Sequence, residues 1–152
     1  MKKKLKTICV IPARGGSKGL PGKNLKLFNG KPLIAWPIIA ATNCENIDTV
    51  IVTTDSAEIA AQAKLYGASV PALRPFNLAQ DNSTTETTLK DALDKFEKLT
   101  NQYFDICVFL TCTDIFRDTN WDYKCCREIR KQYKTRLSFC CLQNSQKFLA
   151  QR

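Results

Sequence analysis

A short apolar run ends in proline and opens at once into a glycine-rich loop, and this junction limits what the chain can become. Leu5 to Pro12 carries Ile8, Val10 and Ile11 and reads as a buried strand closed by Pro12. The loop is Ala13-Arg14-Gly15-Gly16-Ser17-Lys18-Gly19-Leu20-Pro21-Gly22-Lys23-Asn24. Glycines let backbone N–H groups approach an anion because no Cβ stands in the way. Arg14, Lys18 and Lys23 add positive charge, enough to offset much of a triphosphate. A solvated connection is the plain alternative, but it leaves so many glycines and bases directly after a buried strand without a reason.

The rest of the chain alternates strand and helix signals. Pro32 to Asn43 reads as a helix with proline in its first turn and a kink at Pro37. Asp48 to Thr54 is a β-branched strand. Ser56 caps a helix that runs to Tyr66 and stops at Gly67. Ala68 to Val70 is a brief strand, and Pro71 to Asn82 a proline-punctuated loop. Thr84 to Leu99 is the clearest helix, with Leu89, Ala92, Leu93, Phe96 and Leu99 in one apolar stripe. Asp105 to Leu110 is an unbroken apolar strand, Thr111 to Asp118 a polar loop, Thr119 to Tyr133 a helix and Leu137 to Leu142 a last strand. Gln143 to Arg152 is a polar end without a stop signal. The alternation predicts an α/β fold, a mostly parallel sheet with helices on both faces. Length and pattern give a single domain over residues 1–152.

In such sheets ligands sit at the carboxyl ends of strands. Loops 13–24, 54–55 and 111–118 arise there, with the Arg74 loop beside them. The net charge of +9 points to an anionic partner. With no histidine in the chain, a Ser-His-Asp triad, a Cys-His dyad and a His-bound metal are excluded. The eight cysteines form no C-x-x-C pair and sit mostly in apolar runs, so they read as reduced core thiols. No signal-peptide core or membrane span is visible, and a soluble cytoplasmic protein is expected.

The glycine loop fits neither common phosphate motif. G-x-x-x-x-G-K-[ST] fails at Ser17 and Asn24, and G-x-G-x-x-G fails within Gly15–Gly19. The run Ile11 to Asn24, followed by Asn29-Gly30-Lys31-Pro32-Leu33-Ile34, closely resembles the acylneuraminate cytidylyltransferases. The resemblance continues through Val52-Thr53-Thr54-Asp55, Glu58-Ile59-Ala60, Tyr66-Gly67-Ala68, Leu73-Arg74-Pro75 and Leu78-Ala79-Gln80-Asp81, over nearly the whole chain. It implies a Rossmann-like nucleotide-diphosphosugar transferase fold. It also implies transfer of CMP from CTP to a nonulosonic, sialic-acid-like sugar, with Mg²⁺ as cofactor and pyrophosphate as product.

Carried over by position, the resemblance sets Arg14, Ser17 and Lys23 around the triphosphate, with Gly15, Gly16 and Lys18 in the same loop. Asn24, Arg74 and Thr85 fall near the cytidine. Arg74 has a plain alternative as a solvated loop arginine, and Thr85 as a helix cap. Where the family reads L-Q-P-T-S-P-L-R, this chain has Leu110-Thr111-Cys112-Thr113-Asp114-Ile115-Phe116-Arg117. Thr111, Thr113 and Arg117 thus fall on the sugar side. The shorter Thr111 implies an acceptor other than N-acetylneuraminate. Asp114 is a carboxylate the pattern lacks, a candidate for Mg²⁺ or a sugar hydroxyl, or else a solvated residue or cap. Arg14, Lys23 and Asp114 are the candidate catalytic residues.

The family's late acidic pair, which holds Mg²⁺, and much of its homodimer contact have no counterpart in these 152 residues. This predicts a truncated chain, doubtful as a dimer, that binds CTP with poor turnover or none. Lys124, Arg127, Arg130 or Lys131, and Lys134 form a basic stripe at helical spacing. A solvated helix face explains it more simply than nucleic acid, because aromatic residues stand only at the helix ends.

Overall fold

A computed structural model describes residues 5–17, 19–75 and 84–115, and the backbone of 138–143 and 146–151. The elements are β1 (Thr7–Pro12), β2 (Leu27–Phe28), β3 (Lys31–Pro32), α1 (Ala35–Thr42), β4 (Thr49–Thr53), α2 (Ala57–Leu65), α3 (Thr85–Thr100), β5 (Ile106–Phe109), β6 (Ser138–Gln143) and β7 (Gln146–Gln151). One sheet has the order β4-β1-β5-β6-β7. The pairs β4·β1, β1·β5 and β5·β6 are parallel, and β7 returns antiparallel on β6.

Both faces of this sheet are covered, as the alternation predicts. Cys9 and Ile11 of β1 face one side with Val52, Val108 and Leu110. Ile34, Ile38 and Ala41 from around α1, and Ile59 and Ala63 of α2, pack there. Ile8 and Val10 face the other side with Ile51 and Cys107, under Leu89, Ala92, Leu93 and Phe96 of α3. A central strand buried on both faces needs apolar residues at every position, which explains why β1 and β5 read as unbroken runs.

Several boundaries differ from the sequence reading. The helix expected from Pro32 starts at Ala35, because Asn29 (φ 47°) and Gly30 (φ 77°) turn Leu27–Phe28 back onto Lys31–Pro32 as a hairpin. Pro37 is therefore the third helical residue, where a missing N–H breaks no intrahelical bond, and the expected kink loses its cause. The strand expected at Ala68–Val70 reduces to one parallel bridge, Ile51 to Ser69. The polar segment from Gln143, where the sequence carries no stop signal, supplies β7. Ser56 and Gly67 bound α2 as expected: the Ser56 hydroxyl accepts from the Ile59 N–H, and Gly67 turns out with φ +97°. The helix expected at Thr119–Tyr133, its basic stripe, Lys18 and Arg117 lie outside the described residues. Among the described residues no helix is long and apolar enough to cross a membrane.

The apolar stripe of α3 ends earlier than its spacing suggests. Leu93 is fully buried, whereas Leu99 is 66% exposed at the helix end. Leu93→Ala is expected to destabilise the fold by about 2–5 kcal/mol, and Leu99→Ala by less than about 0.5 kcal/mol. Urea unfolding of the two variants checks the contrast.

Candidate nucleotide site

The strand order sets the place. From β1 the chain passes through α1 to β4 on one side, then returns through α2 and α3 to β5 on the other. The order reverses between β1 and β5, which opens a crevice at their carboxyl ends. The glycine loop leaves β1 at that end, and residues 110–115 leave β5 there. The two exits touch. The Leu110 N–H donates to the Val10 carbonyl at 3.3 Å, and the Cys112 thiol reaches the Pro12 carbonyl at 3.8 Å.

The loop is tied down at both ends. At its entry, the Ala13 N–H donates to the Thr53 carbonyl at 3.0 Å. The Gly15 N–H donates to Asp55 Oδ1 at 2.7 Å. At its exit, Asn24 is buried in a single 3₁₀ turn, Lys23–Leu25, entered through Gly22 in the left-handed region (φ +63°). Asn24 Nδ2 donates back to the Arg14 carbonyl at 2.9 Å, and the Asn24 carbonyl accepts the Ile34 N–H at 3.0 Å. Asn24 thus closes the loop on itself and fastens it to the start of α1. Its Oδ1 is buried without a hydrogen-bond partner among the described residues.

Of the loop's amides, Gly15 is committed to Asp55, and the Ser17 N–H lies 3.2 Å from the Gly15 carbonyl. Gly16 is exposed, and its N–H meets no acceptor among the described residues.

Arg74 lies at the same end of the sheet. Its N–H donates to the Thr54 carbonyl at 2.6 Å, Nη2 to the Thr53 carbonyl at 2.7 Å and Nε to Thr53 Oγ1 at 3.3 Å. The solvated alternative for Arg74 therefore fails. Burial lowers its pKa, Asp55 and Asp91 oppose that, and Arg14 adds to it. Arg14, Asp55, Arg74 and Asp91 of α3 thus form one electrostatic neighbourhood. Thr85 is exposed and is the first residue of α3. The cap is Thr84, whose hydroxyl accepts the Thr87 N–H at 3.2 Å, so the cap alternative for Thr85 fails.

On the β5 side, Thr111 is half-buried, Thr113 exposed and Asp114 half-buried. The Thr113 hydroxyl lies 3.4 Å from that of Thr111. Burial pushes the Cys112 thiol up to about 12, while the charge of Lys23 pulls it down. Burial likewise pushes Cys107 up to about 12. Both are thiols at neutral pH and neither is a nucleophile there. Cys9, Cys44, Cys107 and Cys112 are buried and form no disulfide, as the sequence suggested.

Among the described residues no three His, Cys, Asp or Glu side chains converge as a metal cage. Mg²⁺ needs no such cage: it takes one or two carboxylates, substrate phosphates and water. Asp114, half-buried in the segment that follows β5, is a single carboxylate of the kind such a site uses.

Local pattern marks Asp55 only as a loop residue and gives Thr53 no role. The signal available in the sequence is their position at the carboxyl end of the second long strand. A Cβ added to Gly15 would stand 3.2 Å from Ser56 Cβ and 3.7 Å from Asp55 Oδ1, whereas one on Gly16 meets nothing within 4 Å. Gly15→Ala is therefore expected to cost about 1 kcal/mol or more, and Gly16→Ala to stay within about 0.5 kcal/mol; thermal unfolding of both reads the difference.

Comparison with known proteins finds relatives of this chain. A family model described as cytidylyltransferase matches residues 8–119. CMP-N,N'-diacetyllegionaminic acid synthase of Legionella pneumophila is 47% identical over 113 residues, covering 74% of this chain and 48% of that protein. A pseudaminic acid cytidylyltransferase of Campylobacter jejuni is 38% identical over 103 residues, covering 68% of this chain and 44% of that one. The solved structure of CMP:2-keto-3-deoxy-manno-octonic acid synthetase complexed with CTP superposes with a TM-score of 0.67 at 24% identity, over 84% of this chain and 48% of that one. The chain spans about half the length of the relatives it matches. With the family model matching residues 8–119, the chain belongs to the cytidylyltransferase family.

Proposed function

We propose that this chain binds CTP in the β1/β5 crevice and serves the transfer of CMP to a nonulosonic, sialic-acid-like sugar. The observation that carries this reading is a glycine loop tied at both ends, with Arg14 and Lys23 at the carboxyl end of β1. The names of the relatives support it, since they describe synthases of CMP-legionaminic acid and cytidylyltransferases of pseudaminic acid.

In this reading Arg14, Lys18 and Lys23 neutralise the triphosphate, and Gly16 and Ser17 let it approach the backbone. Asn24, Arg74 and Thr85 lie on the cytidine side. Thr111, Thr113 and Arg117 meet the sugar. The anomeric hydroxyl oxygen attacks the α-phosphorus in line, the bond from that phosphorus to the bridging oxygen breaks, and pyrophosphate leaves. The hydroxyl proton passes to solvent or to a carboxylate, because the chain has no histidine. No covalent enzyme intermediate is needed, so the protein's part is positioning and charge neutralisation. Mg²⁺, when bound, neutralises charge on the phosphates, and Asp114 is the residue that would hold it. The acceptor is expected to differ from N-acetylneuraminate, because Thr111 reaches less far than the glutamine of most of the family.

Arg14→Ala is expected to weaken CTP binding by about 1.5–3 kcal/mol, as loss of a charge-assisted contact does. Calorimetric titration measures it, and unchanged affinity removes Arg14 from the site. Mg²⁺ is expected to tighten CTP binding to the parent chain and to have no effect on Asp114→Asn. A parent chain indifferent to Mg²⁺ leaves Asp114 as a loop residue. Pyrophosphate release with CTP, Mg²⁺ and a panel of nonulosonic acids separates transfer from binding without turnover.

A further inference from the structure

We propose that Asp55 is a positioning residue for the glycine loop: its carboxylate pins the Gly15 peptide and so presents the next amide, that of Gly16, to the phosphates. This rests on the reading that the loop binds CTP.

The Gly15 N–H is the first glycine amide after β1, and it is not available to a ligand, because Asp55 Oδ1 accepts it at 2.7 Å. That distance is at the short end of N–H to carboxylate bonds, which are stronger than neutral ones. The approach is close on its other side as well. With Ser56 Cβ 3.2 Å from where a Gly15 Cβ would stand, the loop lies directly on the Thr54–Ser56 turn. The turn itself is braced. The Ser56 N–H donates to Thr54 Oγ1 at 3.1 Å, and the Arg74 N–H takes the Thr54 carbonyl at 2.6 Å. Arg74 is bound in turn to Thr53 and Thr54. One exposed carboxylate thus ties the entry of the glycine loop, at the end of β1, to the turn that leaves β4.

Its exposure separates positioning from stability. A hydrogen bond at the surface exchanges with water and adds little to folding. A loop already held in its binding form loses less freedom when phosphate arrives, and this gain appears in affinity. Replacing Asp55 is therefore expected to change CTP binding far more than the melting temperature.

The experiment uses the full chain, with Asp55→Ala, which removes the acceptor, and Asp55→Asn, which keeps an acceptor oxygen and removes the charge. Asp55→Ala is expected to weaken CTP binding about tenfold at an almost unchanged melting temperature. Asp55→Asn is expected to recover most of that loss. Amide hydrogen exchange is expected to quicken at Gly15 in Asp55→Ala, with β1 still protected. Parent-like or tighter CTP binding by Asp55→Ala overturns the proposal, as does equal loss in the two variants, which would point to charge rather than the bond. Loss of affinity together with a large drop in melting temperature also overturns it, since the role would then be structural. A parent chain that does not bind CTP sinks the proposed function instead. In that case Gly15 exchange still decides the pin, and exchange unchanged in Asp55→Ala rejects it.

Discussion

Strand β1 has apolar side chains on both faces and hydrogen-bonds to a strand on each side, and most of the molecule follows from that. Ile8 pairs with Thr49 on one side and with Cys107 on the other, and the pairing continues along the strand. A strand buried in this way cannot be an edge and cannot face water. Helices must cover both faces, and crossovers must depart in both directions from it. The reversal of strand order beside β1 then leaves a crevice at its carboxyl end. The glycine loop lies at the crevice because it is the segment leaving the central strand.

The chemistry available at that crevice is set by what the chain lacks as much as by what it holds. Without histidine, no side chain titrates near neutrality with its ordinary pKa. The buried thiols, held protonated, add none. What the described residues show there is a fixed field: Arg14 and Arg74, with Asp55 and Asp91 around them. Burial of Arg74 is tolerated because Nε and Nη2 donate to Thr53 and two carboxylates act on it. A fixed field of this kind suits phosphoryl transfer, in which charge is redistributed over oxygens and little covalent help is needed.

The sequence made the buried elements legible and the turns less so. Apolar runs and the α3 stripe gave both faces of the sheet, because period and burial are the same fact seen in sequence and in space. Leu99 fails because spacing carries no information about where the neighbouring layer ends. The hairpin at Asn29-Gly30 was written in the sequence, since that pair favours two consecutive positive φ angles. The proline at 32 instead suggested a helix start three residues early. The site was legible where its residues lie in one stretch, from Arg14 to Asn24. Asp55 and Thr53 were not, because their role depends on β4 lying beside β1, which local pattern does not state.

The two ends of the glycine loop are closed by different physics, and this bears on how the loop works. At the exit, Asn24 is buried and its amide holds the Arg14 carbonyl, so opening that contact strands a polar group away from water. At the entry, Asp55 is exposed, so its bond to Gly15 adds little to folding and acts instead on the form of the loop. The exit is therefore a clasp that the fold depends on, and the entry a pin that sets how the loop is presented. The loop segment between them is exposed at Gly16 and Gly19, where side chains would meet nothing. Held at both ends, that segment has less freedom to lose when a phosphate arrives, and a loose end would charge more ordering entropy to binding.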